Sequence, residues 1–380
     1  MLLSIFVAPA MACAIDLSTN RSTQSPLIRS PAQPDTAVLL HWTDMDISRW
    51  AAQRSSAANL IESERSSVLA SIDREDRAQC AQAAMTQAIA RDLACHERRR
   101  SAAQALTIFH QLIGLQKQQG LLQDATQTLE QLLRFADKAT ELDIPDGNRF
   151  ELDKQRLQVA DQRAEAAGAT IKLQIALSQL IHQSFPTTDN AVLVTSSPAP
   201  QSEPSWSEQI TIAKANRCDL KAIDSLCRSL SADTLPMARQ WLGSLQPGLG
   251  VAVAIATRKP LLAALHSEDR SAAELCKRRD QCSQLRAERE RQVEAEVHVA
   301  VVDYQTTIAR QAIAKQQLDL NAEATAQVLK AIELEQATPG NGLLSKLAQL
   351  EAEGRLIDRQ VAVEIADVKL KEASGTLAIE

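Results

Sequence analysis

Aromatic side chains are nearly missing from this chain: four Trp, five Phe and one Tyr in 380 residues, or 3%. Rings dominate the cores of most compact domains. Their scarcity points instead to long, thin packing through small and medium side chains, which the abundant Ala, Leu, Gln, Glu and Arg supply. Glycine (11) and proline (13) are also sparse, so long windows contain nothing that breaks a helix. A basic excess is lacking too. The 41 Lys and Arg are outnumbered by 47 Asp and Glu, for a net charge of -6, which argues against a nucleic-acid surface because such surfaces bind by releasing phosphate counterions. No apolar run reaches the roughly 20 residues of a membrane-spanning helix.

Chemistry-bearing motifs are equally thin. The seven cysteines, at positions 13, 80, 95, 218, 227, 276 and 282, include no CxxC pair. With Cys13 set aside an even six remain, which permits bridges in an oxidising compartment, although buried thiols are the simpler reading. There is no nucleophile motif, phosphate-cradling glycine loop or HExxH pattern. The six histidines stand singly on polar or boundary positions, and Arg98, Arg99 and Arg100 read as a solvated helix face with neighbouring acids. The sequence therefore names no catalytic residue, metal ligand or cofactor, and an enzyme is not expected.

What the chain does contain is helical periodicity. Leu106, Phe109, Leu112, Leu122, Leu129, Leu132 and Ala136 recur at steps of three and four, the signature of one buried helix face. The stripe stops at Ile144, Pro145, Asp146, Gly147 and Asn148, where proline and Asp-Gly-Asn specify a reversal. It resumes through Leu152, Leu157, Ala160, Ile171, Ile175 and Leu180, so residues 98–183 read as an antiparallel helical hairpin. A second hairpin occupies residues 289–375. Its upstream stripe runs through Val297, Val301, Tyr304, Ile308 and Leu329, its turn through Pro339, Gly340, Asn341, Gly342 and Leu343, and its return through Leu347, Leu356, Val363 and Leu370. Two such hairpins in one chain constitute an internal duplication at the level of pattern.

The expected organisation follows. Residues 1–45 are a signal-like apolar run, ending in Ala10-Met11-Ala12 but without a basic start, and a polar leader. Residues 46–185 form the first hairpin repeat, with helix capped at Asp46 or Ser48 and a break at 71–79 or 96–100. Residues 186–206 are a Ser/Pro linker. Residues 207–380 form the second repeat, with a helix from Ser205 or Ser207 to Leu242 and a short strand at 247–256. The fold class is all-α, with at most that remnant β segment.

Within the second repeat, Ala215-Asn216-Arg217-Cys218-Asp219-Leu220-Lys221-Ala222 resembles the A-x-x-N-R-P-D-L-x-A signature that opens the second repeat of the TolC-like outer membrane efflux protein family. Asn216, Arg217, Asp219 and Leu220 carry the match, and Ala373-Ser374-Gly375 falls where repeats of that family end. The resemblance implies a homotrimer whose hairpins assemble a hollow helical tunnel in the periplasm, associated with the outer membrane. Its hairpin tips would bind the periplasmic adaptor (membrane fusion) protein of an efflux pump. The implied partner-binding residues are Ile144, Pro145, Asp146, Gly147 and Asn148 on one tip and Pro339, Gly340, Asn341, Gly342 and Leu343 on the other. The family's transmembrane strands are expected to be reduced or missing. The alternative reading is a non-channel coiled-coil scaffold.

Overall fold

The computed structural model describes residues 42–70, 73, 75–141, 149–183, 204–245 and 268–379. The signal-like run, most of the leader and linker, the first tip at 144–148 and the strand-like segment 247–256 lie outside them. Among the described residues the chain forms nine helices and no strand. They are α1 (Asp44–Gln53), α2 (Ser56–Ala70), α3 (Arg77–Glu141), α4 (Arg149–Ile181), α5 (Trp206–Asn216), α6 (Cys218–Arg228), α7 (Leu235–Leu245), α8 (Glu268–Glu333) and α9 (Pro339–Ser374).

Helix α1 begins earlier than the pattern suggested. Thr43 is its N-cap, the Asp46 amide donates to the Thr43 hydroxyl, and the Thr43 amide donates back to the Asp46 carboxylate. Asp46 is therefore the third residue of a capping box rather than the cap. Ser48 faces inward and donates to the Ala378 carbonyl at 2.6 Å. The long upstream arm is three helices, with a break at Arg54–Ser55, α2 ending at Ala70 and α3 starting at Arg77, while α3 runs unbroken through residues 96–100 for 65 residues, about 98 Å. In the second repeat the expected single helix to Leu242 is likewise three, α5, α6 and α7. Pro236 sits in the first turn of α7, but no Gly or Pro marks the breaks at Arg54–Ser55 and Arg217, where side-chain contacts made in the folded chain hold the corner.

The four longest helices form one layer in the order α4, α3, α9, α8. Two cores near its middle each serve one repeat. Phe109, Leu112, Leu177 and Ile181 close the first hairpin and receive Ile47 of α1 and Leu377 of the C-terminal tail. Val293, Val297, Val301, Val363 and Leu370 close the second and receive Leu220 of α6. The seam between repeats is the α3–α9 contact, where Gly114 has no Cβ because Val361 Cγ2 would lie 2.6 Å from it. Gln118 donates to Asp358 across the same seam. A further cluster, with Leu129, Leu132, Val159 and Leu347, packs toward the tips. At the opposite end Met85, Ile89, Leu226, Leu242 and Leu285 bind α3, α6, α7 and α8 together.

Candidate functional site

The signature residues meet at the corner where α5 turns into α6. Arg217 adopts an extended conformation (φ -62°, ψ 122°), so one residue ends α5 and starts α6, and its amide donates to the Ala213 carbonyl at 2.9 Å. The residue is 5% exposed. The guanidinium donates from Nε to Asp219 Oδ1 at 2.9 Å and from Nη2 to Asp219 Oδ2 at 2.7 Å, a bidentate pair. From Nη1 it donates to Glu296 of α8 at 2.6 Å and to the Ala373 carbonyl near the end of α9 at 3.2 Å. Arg289 of α8 closes the ring, reaching Asp219 Oδ2 at 2.8 Å from Nε and Glu296 Oε1 at 2.9 Å from Nη1. Two guanidinium groups and two carboxylates thus neutralise one another.

The electrostatics follow from that balance. Burial by itself would raise the Asp219 carboxyl, but its hydrogen bonds with Arg217 and the charges of Arg217 and Arg289 outweigh burial and hold it well below the usual carboxylate range. Arg217 is held above its ordinary value against the opposing effect of burial, by its bonds to Asp219 and Glu296. His96, packed over the ring, is lowered by burial. Glu372 is raised by burial.

Three other features fasten the corner. Arg99 donates to the Asn216 carbonyl at 3.0 Å, so it is half-buried at an interhelix contact rather than on a solvated face. Cys95 of α3 is disulfide-bonded to Cys218 of α6, with Cα atoms 6.1 Å apart, which overturns the reading of these two as buried thiols. Gly375 ends α9 in the left-handed region (φ 68°), and a Cβ there would lie 3.1 Å from both Arg217 N and Asn216 C. Only glycine accommodates both the conformation and the approach. A cleft of about 670 Å³ opens beside the ring, lined by His96, Arg100, Arg217, Arg289, Glu296 and Glu372 among others. Of its charges, Arg217, Arg289 and Glu296 are engaged in the ring with Asp219. Among the described residues no three His, Cys, Asp or Glu side chains group as a metal site requires. The arrangement can clasp helices and fix their spacing.

The first repeat carries a plainer version of the same device. Arg54, between α1 and α2, donates from Nη1 to the carbonyls of Ile181 (2.5 Å) and His182 (2.9 Å) at the end of α4. His182 has φ 47°, the left-handed position that Gly375 occupies after α9. Both repeats therefore use an arginine at a helix break to hold the end of the returning hairpin helix. Sequence reasoning missed Arg54, Arg289 and Glu296. Arg289 and Glu296 stand seven residues apart, on one face of α8, which was the only available signal.

The second tip lies at the far end of α9, about 54 Å from the corner at 1.5 Å per residue for its 36 residues. Helix α8 ends in a Schellman arrangement, with Gln336 N donating to Ala331 O and Glu335 N to Ile332 O while Glu335 takes φ 58°. Thr338 then caps α9, accepting from Asn341 N, and Pro339 takes the first helical position. Of the tip residues, Gly342 is buried against Ile332 and Leu343 is half-buried in the tip cluster. Pro339, Asn341 and the neighbouring Leu334 and Leu344 are exposed.

No family model and no curated protein matches this sequence. Solved structures match its fold. The CmeC outer membrane channel of Campylobacter jejuni aligns with a TM-score of 0.63 at 10% identity, over 88% of this chain and 86% of that one. VceC, an outer membrane protein of Vibrio cholerae, gives 0.61 at 12% identity over 87% and 95%. A membrane protein from Pseudomonas aeruginosa gives 0.63 at 11% identity over 93% and 97%.

Proposed function

From the TolC-like fold that this chain has, we propose that it is a component of an envelope efflux or export system, a homotrimer forming a helical tunnel that docks a periplasmic adaptor. The observation that carries the reading is a pair of uncovered apolar stripes on the two edges of the helical layer. On α4, Phe150, Leu157, Ile171 and Ile175 are exposed, and they project within about 60° of one another at 3.6 residues per turn. On α8, Val299, Val302, Ile313 and Leu320 do the same. Contiguous exposed apolar surface marks an interaction site. Because α4 and α8 are opposite edges, pairing one copy's α4 with the next copy's α8 is a head-to-tail contact, the kind that closes into a ring when the rotation between copies divides a full turn.

The exposed Leu334, Pro339 and Leu344 support the second tip as the docking surface for the adaptor in this reading. The chain would act in the cell envelope. In the first repeat α2 ends at Ala70 and α3 starts at Arg77, leaving too little chain for two membrane-spanning strands of about 10 residues each. That short connection is the observation favouring the second reading, a scaffold without a channel.

Native mass spectrometry of the full chain, extracted from envelopes, tests the assembly. A trimer that falls to monomers in Ile175→Asp or Ile313→Asp, with helical circular dichroism retained, is the expected result. A monomeric wild type sinks the tunnel and leaves the scaffold. Docking is read separately by co-purification of an identified membrane fusion adaptor, which Leu344→Asp should abolish.

A further inference from the structure

Two thiols outside the corner share one side-chain cluster at the end of the layer away from the tips. Cys227 lies in the last turn of α6 and Cys282 on α8, both in the cluster with Met85, Ile89, Leu226 and Leu285. Cys282 is buried and Cys227 half-buried. Cys227 packs against the cluster that contains Cys282, and each acts on the other: the Cys227 thiol is lowered and that of Cys282 raised, the latter further by burial. The charged groups acting on the pair are Asp224 and Arg286 at Cys227 and Arg278 at Cys282. Arg286 also pairs with Asp224, holding α8 to α6 beside the two sulfurs. Helix α6 is already bridged to α3 by Cys218 and Cys95 at its other end.

We propose that Cys227 and Cys282 are a second disulfide-forming pair, so that in the oxidised protein α6 is covalently tied to α3 at its start and to α8 at its end. The oxidant is a thiol–disulfide oxidoreductase of the envelope, and in that respect the proposal rests on the functional reading above. Cys227, half-exposed and carrying more thiolate, attacks one sulfur of the oxidoreductase disulfide. A mixed disulfide forms and the second sulfur leaves as a thiolate. Cys282 then loses its proton and attacks the Cys227 sulfur, the protein disulfide forms, and the oxidoreductase departs as a dithiol. Two electrons and two protons have passed from the protein to the oxidant. The consequence is a covalent belt joining the first repeat's α3 to the second repeat's α8 through α6, where no hairpin turn joins them.

Non-reducing peptide mapping tests the pairing. The purified full chain is reduced, then equilibrated in a glutathione/glutathione-disulfide buffer, alkylated and digested. The expected product is a Cys227–Cys282 linked peptide that disappears on reduction, with Cys282 alkylated in Cys227→Ser and the Cys95–Cys218 bridge intact there. Recovery of Cys227 and Cys282 as separate alkylated peptides from the oxidising buffer overturns the proposal, whatever the state of Cys95 and Cys218. A second arm maps protein alkylated directly in cells. A linked peptide there extends the pairing to the envelope, whereas both pairs reduced in cells but linked in the buffer would retain the pairing and count against the envelope location.

Discussion

Two corners of this molecule perform one task with very different means. In the first repeat Arg54 reaches two carbonyls at the end of α4 and needs no counter-ion. In the second, Arg217 holds the end of α9 but also binds Asp219 and Glu296, with Arg289 completing the ring. The difference is burial. Arg54 keeps contact with water, whereas α6 and α8 enclose Arg217, and a buried guanidinium is tolerated only when paired. A repeated backbone geometry thus demands a charge network only where packing removes solvent.

The sharpest way to break that comparison is to remove each arginine. Arg217→Ala leaves a buried carboxylate with one partner fewer and should cost about 3–5 kcal/mol. Arg54→Ala loses two partly exposed hydrogen bonds and should cost about 1 kcal/mol. Urea midpoints of the full chain measure both, and equal losses would show that burial is not what separates the corners.

Acid separates the repeats next. His110, 3% exposed in the first repeat beside Asp367 and Lys371 of α9, is lowered by burial to about 4. Its folded value lies below its unfolded value of about 6.5, so the stability it contributes is present above pH 6.5 and is lost as pH falls toward 4, by up to about 3 kcal/mol. His96 at the second corner is lowered too and adds slope in the same window. Asp219 is depressed as well, so its contribution is present above about pH 4, the unfolded carboxyl value, and is lost only below it. Denaturation midpoints from pH 7 to 3 should therefore flatten above pH 4 in His110→Gln and below pH 4 in Asp219→Asn. A His110→Gln curve parallel to wild type would refute the assignment.

Smaller effects sharpen the match between the helix ends. Gly375→Ala imposes a left-handed Ala against the backbone of Asn216 and Arg217 and should cost about 2 kcal/mol. His182→Gly relieves the same conformation in the first repeat and should gain about 1 kcal/mol. Thermal melts measure both, and a loss in His182→Gly would mean its side chain is needed there.

Much of the architecture was legible early. The stripes of Leu106, Phe109 and Leu112 and of Val297, Val301 and Tyr304 are the cores of the two hairpins, but the second reversal ends at Thr338, and Pro339 to Leu343, read as the turn, form the first turns of α9, because proline is tolerated at the first helical position. The breaks at Arg54 and Arg217 were not legible, because ordinary residues occupy them and their conformations depend on partners far along the chain. His110, taken as a boundary residue, is buried for the same reason. Of the candidate site, the signature residues do converge, but their partners Arg289 and Glu296 read as one more charged stretch of a long helix.

Local periodicity by itself determined that this chain is all-α and doubled, since a helix face is written in residues three and four apart. Only the folded chain decided which charges are buried together, which cysteines meet, and which helices form the edges of the layer. Those relations join residues scores of positions apart, and their energies exist only once neighbouring helices have excluded the water between them.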